Sequence, residues 1–264
     1  MPNFSDKVLS WFYVNGRHDL PWQKQLTPYR VWISEIMLQQ TQVVTVIPYF
    51  MRFINRFPTV AELAASDINH VLHLWTGLGY YARARNMHKA AQLIMKEYAG
   101  LFPTRLEDLE AMPGVGRSTA GAIAALSMNI RAPILDGNVK RVLTRYFAIS
   151  GWPEHTSVNN ELWELAENLM PPDNIADYSQ AMMDLGATLC TRTHPFCPSC
   201  PLKVECEANK TATTQDYPSR KPKKKLPVKT IFMFILQNDL DEVLLEKRPP
   251  NGIWGSLYSL PESE

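Results

Sequence analysis

The chain has 264 residues, is 45% hydrophobic and carries a net charge of +1. That length buries a substantial core in one large or two modest domains. No apolar run is long enough to span a bilayer, and the charge taken alone does not suggest nucleic acid. The N-terminal stretch MPNFSDKVLSWFYV holds an acidic residue and no small-residue cleavage site, so it does not read as a signal peptide. With cysteines that need not pair, this points to a reducing, cytoplasmic setting.

Residues 1–205 read as helix after helix, with capping punctuation and little strand alternation. Thr27-Pro28 opens a helix through YRVWISEIMLQQTQ, with threonine as N-cap and proline in the first turn. Ser66-Asp67 opens INHVLHLW, and after Gly77-Leu78-Gly79 comes YYARARNMHKAAQLIMKEY. Thr104 and Glu107 form a capping box ahead of LEDLEAM. A tight turn, Pro113-Gly114-Val115-Gly116, then leads into RSTAGAIAALSM, and residues 159–169 and 179–189 give two more helices. The seven tryptophans read as core packing, and the six histidines show no metal spacing.

The pattern changes at residues 220–225, RKPKKK, which hold five of the 27 basic residues and read as a linker that is also able to touch phosphate. Beyond it, VKTIFMFIL (228–236) and EVLLEKR read as strands around an Asn238-Asp239 turn. The expected organisation is a helical domain at 1–206, a basic linker at 207–227 and a β-rich segment at 228–264. That last segment is too short for an independent fold, so the chain looks cut off inside a second domain.

All four cysteines, Cys190, Cys197, Cys200 and Cys206, fall in CTRTHPFCPSCPLKVEC with spacing C-x6-C-x2-C-x5-C. Four thiolates in one loop hold a tetrahedral zinc or an iron–sulfur cluster. A disulfide knot is disfavoured without an export signal. The single C-x2-C with wider flanking gaps suits a cubane-sized object better than zinc. The glycines of Pro113–Gly116 lie just before a helix, where backbone N–H groups approach a phosphate closely; a plain helix–helix turn is the competing reading.

The hairpin, the aspartate of PILDGNVKR and the cysteine spacing together resemble the helix-hairpin-helix DNA glycosylases that carry an iron–sulfur cluster. WISEIMLQQTQV, LHLWTGLGYYARARN, AMPGVGRSTAGA and ILDGNVKRV are more closely similar to the adenine glycosylases of the MutY family, and the likeness covers essentially the whole chain. Met112 stands where that family usually has leucine. RPPNGIWGSLYSLPE resembles the start of the family's MutT-like domain. The resemblance implies a mainly α, two-lobed helix-hairpin-helix glycosylase fold with an iron–sulfur loop (190–206), followed by the truncated start of an α+β MutT-like domain.

By the same resemblance, Glu35 is the general acid that protonates adenine N7. A partly buried carboxyl beside Trp32, Ile36 and Met37 suits that role because burial raises its pKa. Asp136 is the second carboxylate, stabilising an oxocarbenium-like sugar; it also reads as a helix N-cap, which would keep it ionised. Ser118 stands where lyase relatives carry an imine-forming lysine, implying a monofunctional enzyme that uses water. Lys140 is the nearest amine for adventitious trapping. Gln39, Gln40 and Tyr80 match residues that enter the duplex, while Gly114, Gly116, Ser118 and Asn138 neighbour the backbone or sugar. The implied cofactor is a [4Fe-4S] cluster on the four cysteines that folds the loop and presents Arg192 and Lys203 to DNA. The implied partner is duplex DNA with A:8-oxoguanine or A:G mispairs, engaged by a cytoplasmic, nucleoid-associated monomer with no membrane contact. The competing readings are an endonuclease III-like pyrimidine glycosylase/lyase and a non-catalytic, zinc-bound DNA-binding module. A nucleotide pyrophosphatase is excluded by the missing acid-rich box.

Overall fold

Side-chain caps open five of the helices among the described residues. The computed structural model describes residues 3–222, 227–249 and 252–263. Helix α1 (Phe4–Asn15) starts from Asn3, whose side chain accepts from Asp6 N while Asp6 accepts in return from Asn3 N, a reciprocal box. Helix α2 (Pro28–Leu38) has Thr27 as N-cap and proline at its first position, as the sequence predicts. There follow α3 (Val43–Arg56), α4 (Val60–Ala65), α5 (Ile68–Trp75) capped by Asp67 alone, and α6 (Ala82–Glu97). The expected Thr104–Glu107 box does not form. Helix α7 (Leu106–Glu110) begins one residue later, from Arg105, so Glu107 falls too early in the turn to reach back and pairs with Arg105 at 3.6 Å.

Helix α8 (Arg117–Met128) follows the hairpin, and α9 (Gly137–Phe147) is capped by Asp136. Helix α10 (Thr156–Leu169) starts three residues before its expected position, and α11 (Ile175–Asp184) starts four before. Residues Leu185–Leu189 continue α11 as a π-helical turn. A short α12 (Glu207–Lys210) closes the cysteine loop.

These helices enclose two cores. One is built on Trp32, Ile33, Phe50, Phe53, Trp75, Met87 and Ile94, from α2 to α6. The other gathers Val8 and Phe12 of α1 with Val142, Leu143, Leu162, Tyr178, Leu185 and Leu202. Helix α8 serves both, with Ala120, Ile123 and Ala124 in the first and Ala125 in the second. Its Gly121 passes so close to the segment before α9 that a Cβ would lie 2.3 Å from the Pro133 carbonyl oxygen. The fold is therefore mainly helical and two-lobed, with a cleft where the lobes meet.

The β segment is thinner than its sequence suggests. Strand β1 (Phe232–Met233) pairs antiparallel with β4 (Glu262–Ser263), and β2 (Glu246–Lys247) with β3 (Tyr258–Ser259). The expected turn at Asn238 is present, bridged by Gln237 and Val243, but its flanking residues pair only briefly. Ile235, Leu236 and Leu244 stay exposed, because this segment buries no apolar face of its own. Trp254, expected in a core, is 56% exposed. The segment meets the helical body where Arg85 Nη1 donates to Gly255 O at 2.7 Å.

Candidate active site and nucleic-acid interface

Helix α2 turns Trp32, Ile36 and Met37 into the first core and leaves Glu35 facing the cleft between the lobes. Asp136, at the start of α9, faces it from the second lobe. The cleft holds about 520 Å³ and is also lined by Arg17, Trp22, Leu38, Val43, Asn138, Arg141, Gln180, Met183 and Arg192. It is large enough for a purine base.

The two carboxylates have unequal surroundings. Among the described residues no protein group donates a hydrogen bond to Glu35. Burial first, and then the Asp136 charge, push its pKa up to about 8. Asp136 accepts from Asn138 N at 3.0 Å, Val139 N at 2.8 Å and Asn138 Nδ2 at 2.8 Å. Those bonds and Arg141 favour the ionised form, but burial outweighs them, so the net displacement of Asp136 is also upward. The cap expected at Asp136 is present and favours its ionised form, against the opposing effect of burial. Two carboxyls in one cleft do not ionise together readily, and the proton goes to the one without donors. The three donors on Asp136 and their absence on Glu35 favour the proton on Glu35 over Asp136.

Ser118 Oγ accepts from Leu135 N at 3.1 Å, which fixes the backbone immediately before Asp136. Lys140 does not approach the cleft chemistry: its ammonium donates to Glu154 at 2.7 Å. The hairpin lies at one end of α8. Gly114 has φ +80 and a Cβ there would meet Asn86 Cβ at 2.9 Å, so glycine is required. Gly116 has open space around it, and α8 begins there without a side-chain cap, leaving the N–H groups of its first turn for an anion.

Gln40 and Tyr80 sit on two loops beside the cleft, both exposed and both with positive φ, +58 and +49. For non-glycine residues this costs about 1–3 kcal/mol each. Gln39 is half-buried, and its carbonyl is bound by Arg83 at 2.6 Å. Neither glutamine nor Tyr80 lines the cleft itself.

Arg141 was missed in the sequence, where it reads as one more charge on a helix face. Its Nη2 donates to Asn138 Oδ1 at 2.8 Å and to Gly186 O at 2.7 Å, and its Nε to Cys190 O at 2.8 Å. A hydrogen-bonded path thus runs from Asp136 to the first cysteine. Gly186 permits it, since a Cβ would lie 2.6 Å from Asn138 Cβ. Gln180 and Arg17 were missed too. Both bind Asp184, which is fully buried, Gln180 Nε2 at 2.8 Å and Arg17 Nη2 at 2.5 Å.

The four cysteines are unpaired and line one cavity walled by Val142, Leu185, Leu189 and Leu202. Burial pushes Cys200 up to about 12 and raises Cys197 and Cys206. Such thiols are stable as thiolates only around a cation. Among the described residues no three His, Cys, Asp or Glu side chains are grouped to hold a single metal ion. Four thiols around one apolar-walled cavity are the donor set of an iron–sulfur cluster and of a tetrahedral zinc alike. Arg145, 2% exposed, donates to Cys190 Sγ at 3.3 Å. Arg192 lies at the mouth of the cleft, whereas Lys203 Nζ donates to Pro198 O within its own loop. No helix among the described residues is long and apolar enough to cross a membrane.

Residues 33–168 match the model of the HhH-GPD superfamily base excision DNA repair proteins. The chain is 47% identical over 259 residues to an adenine DNA glycosylase of Buchnera aphidicola, covering 98% of this chain and 74% of that one. It is 42% identical over 214 residues to the adenine DNA glycosylase of Homo sapiens, covering 78% of this chain and 39% of that one. Among solved structures, a thermostable thymine-DNA glycosylase superposes with a TM-score of 0.71 at 26% identity, over 79% of this chain and 95% of the other. A non-covalent endonuclease III–DNA complex gives 0.67 at 22% identity, over 79% and 94%.

Proposed function

The chain belongs to the adenine DNA glycosylase family of the helix-hairpin-helix base excision repair superfamily, and from that premise we propose a hydrolytic, monofunctional excision of adenine mispaired with 8-oxoguanine or guanine. It is an adenine DNA N-glycosylase, and it binds DNA. The observation that carries the finer reading is the pair of carboxyls in one cleft with opposite environments, Glu35 without donors and Asp136 with three.

In this reading adenine is extruded from the duplex into the cleft. Glu35, protonated at neutral pH, gives its proton to N7, so the base departs neutral. Asp136, ionised, faces the positive charge that builds on the sugar as the bond breaks. Water then adds to the sugar carbon and gives its proton to the Glu35 carboxylate, which restores the acid, and an abasic site remains. Ser118 offers no amine, and the Lys140 ammonium is held by Glu154, so no imine forms and the strand stays intact. Gln40 and Tyr80 occupy the space the base leaves, and the first turn of α8 with Gly114 and Gly116 grips the backbone.

Cys190, Cys197, Cys200 and Cys206 would hold a [4Fe-4S] cluster, which supplies four-point cross-linking of the loop and no chemistry to a reaction that moves no electrons. The enzyme acts as a monomer on duplex DNA, with residues 228–264 forming part of a MutT-like segment. The test is incubation with duplexes carrying A opposite 8-oxoguanine, A opposite guanine, or thymine glycol. Excision of adenine from the first two, with breaks only after alkali, is the expected result. Cleavage at thymine glycol, or scission without alkali, refutes the reading.

A further inference from the structure

We propose that Arg83 is a positioning residue that holds the loops carrying Gln40 and Tyr80 in one fixed relation, so that both side chains are set to enter the duplex before DNA arrives. The inference rests on the reading of those two residues as duplex-entering.

Arg83 is 9% exposed, and among the described residues no carboxylate pairs with it. Its guanidinium is surrounded by neutral acceptors from two loops far apart in sequence. Nη1 donates to Ile36 O at 2.9 Å, Met37 O at 2.8 Å and Gln39 O at 2.6 Å, the last turn of α2 and the residue after it. Nη2 donates to Thr41 Oγ1 at 3.2 Å, Leu78 O at 3.2 Å and Gly79 O at 3.3 Å. The same plane lies over the Trp75 ring at 5.2 Å and the Tyr80 ring at 5.7 Å. Trp75 Nε1 donates to Gly79 O at 3.0 Å, closing the second loop from the other side.

A buried cation among uncharged partners is a costly element for a fold to keep. The C-terminal end of α2 compensates in part, because its unpaired carbonyls carry the negative end of the helix dipole. A lysine or a hydrophobic residue would stabilise one loop as well. Only a planar guanidinium serves both at once: its two NH2 groups divide between the loops, while Nε makes no hydrogen bond. What Arg83 joins is informative. Gln40, between Gln39 and Thr41, and Tyr80, next to Gly79, are both exposed and both left-handed. Backbone strain of this kind persists only where surrounding bonds over-determine it. Arg83 supplies those bonds on both sides.

The test uses the full chain and a duplex with 2-aminopurine beside the target adenine, whose fluorescence rises when the stack opens. Arg83→Lys keeps the charge but cannot bridge both loops. With the melting temperature within a few degrees of wild type, it should slow both the fluorescence rise and single-turnover excision from an A:G duplex by about tenfold or more. With the same adenine opposite an abasic site the loss should shrink to about threefold, since that stack opens cheaply. Thr41→Val removes one acceptor and should move both readouts the same way by about twofold; it carries the test alone if Arg83→Lys does not fold. Equal losses on the two duplexes would mean a general structural role and overturn the proposal, as would unchanged extrusion in both variants. Gln40→Ala and Tyr80→Ala separate the premise from the inference. If neither slows extrusion, the duplex-entering reading fails. If they slow it and the Arg83 and Thr41 variants do not, only the positioning role fails.

Discussion

Replacing Glu35 by glutamine should slow excision severely and at the same time make the protein more stable at neutral pH. The unfolded chain releases this proton near 4.5 and the folded chain near 8. A carboxyl whose folded value is the higher one costs stability once the pH exceeds the unfolded value. The cost is absent below about 4.5, grows as the pH rises towards 8, and levels off beyond. At pH 7 the folded form still holds a proton that the unfolded form has lost across about 2.5 pH units, worth about 3 kcal/mol at about 1.4 kcal/mol per unit. Glutamine does not titrate and removes that cost, although its amide finds no protein hydrogen-bond partner and returns about 1 kcal/mol. The net gain of about 2 kcal/mol at pH 7 should raise the melting temperature by about 4–8 °C for a chain of this size. The assay is thermal unfolding of both proteins from pH 4.5 to 8, reading only their difference. That difference should vanish at the acid end and widen with pH, while the variant binds an A:G duplex normally and excises about 10²–10⁴-fold more slowly. A difference that stays flat with pH would show that Glu35 is not held protonated by burial, and comparable excision by the variant would remove it as the acid.

The remaining predictions address the other groups in turn. Wild-type single-turnover excision should fall about tenfold per pH unit above about 8, as Glu35 loses its proton; a rate that keeps rising to pH 9 would contradict it. Asp136→Asn keeps a capping oxygen for α9 but no charge, so excision should drop by about 10²–10³-fold with little change in helix content by circular dichroism; full activity would leave Asp136 as a cap only. Ser118→Lys should yield some borohydride-trappable complex, at a stability loss of about 1–3 kcal/mol because Leu135 N loses its acceptor; trapping by wild type at the same level would refute the monofunctional reading. Cys197→Ala or Cys200→Ala should remove a yellow-brown chromophore and lower the yield of folded protein before the activity per folded molecule. A colourless wild type with one bound zinc would overturn the cluster.

The sequence discloses best what is local. Thr27-Pro28 and Asp136 announce their helices because a cap is a contact between residues two or three apart. The cysteine spacing discloses a shared site because all four ligands lie on one loop. The Thr104–Glu107 box misleads because a one-residue shift in the start of α7, which the motif does not specify, ends the reciprocity. The strands at 228–236 mislead because β-branched composition reports a surface suited to pairing, and not whether a partner face exists. Arg83, Arg141 and Arg145 stayed hidden for one reason: each acts across more than thirty residues of chain, on backbone carbonyls that periodicity does not mark. In the helices their codons of charge look like solvent-facing residues, and Arg83 and Arg145 are in fact among the most buried polar groups.

The division of the two carboxylates between two lobes has a consequence for the cysteine loop. Glu35 is carried by α2 and the first core, Asp136 by α9 and the second, so their relation depends on what holds the lobes in register. Helix α8 does so from within, by contributing to both cores and by placing Ser118 against the backbone that leads into Asp136. From the far side, Asn138 and Arg141 tie Asp136 to Cys190 and to the π-helical turn. That turn shifts the carbonyl register of α11, and Gly186 then fits against Asn138 where any side chain would collide. A cluster holding the four cysteines would therefore also fix the carbonyl to which Arg141 is anchored. In the proposed reading the loop acts on catalysis through geometry alone: it sets the orientation of the Asn138 amide, one of the three donors that favour the ionised form of Asp136 beside Glu35.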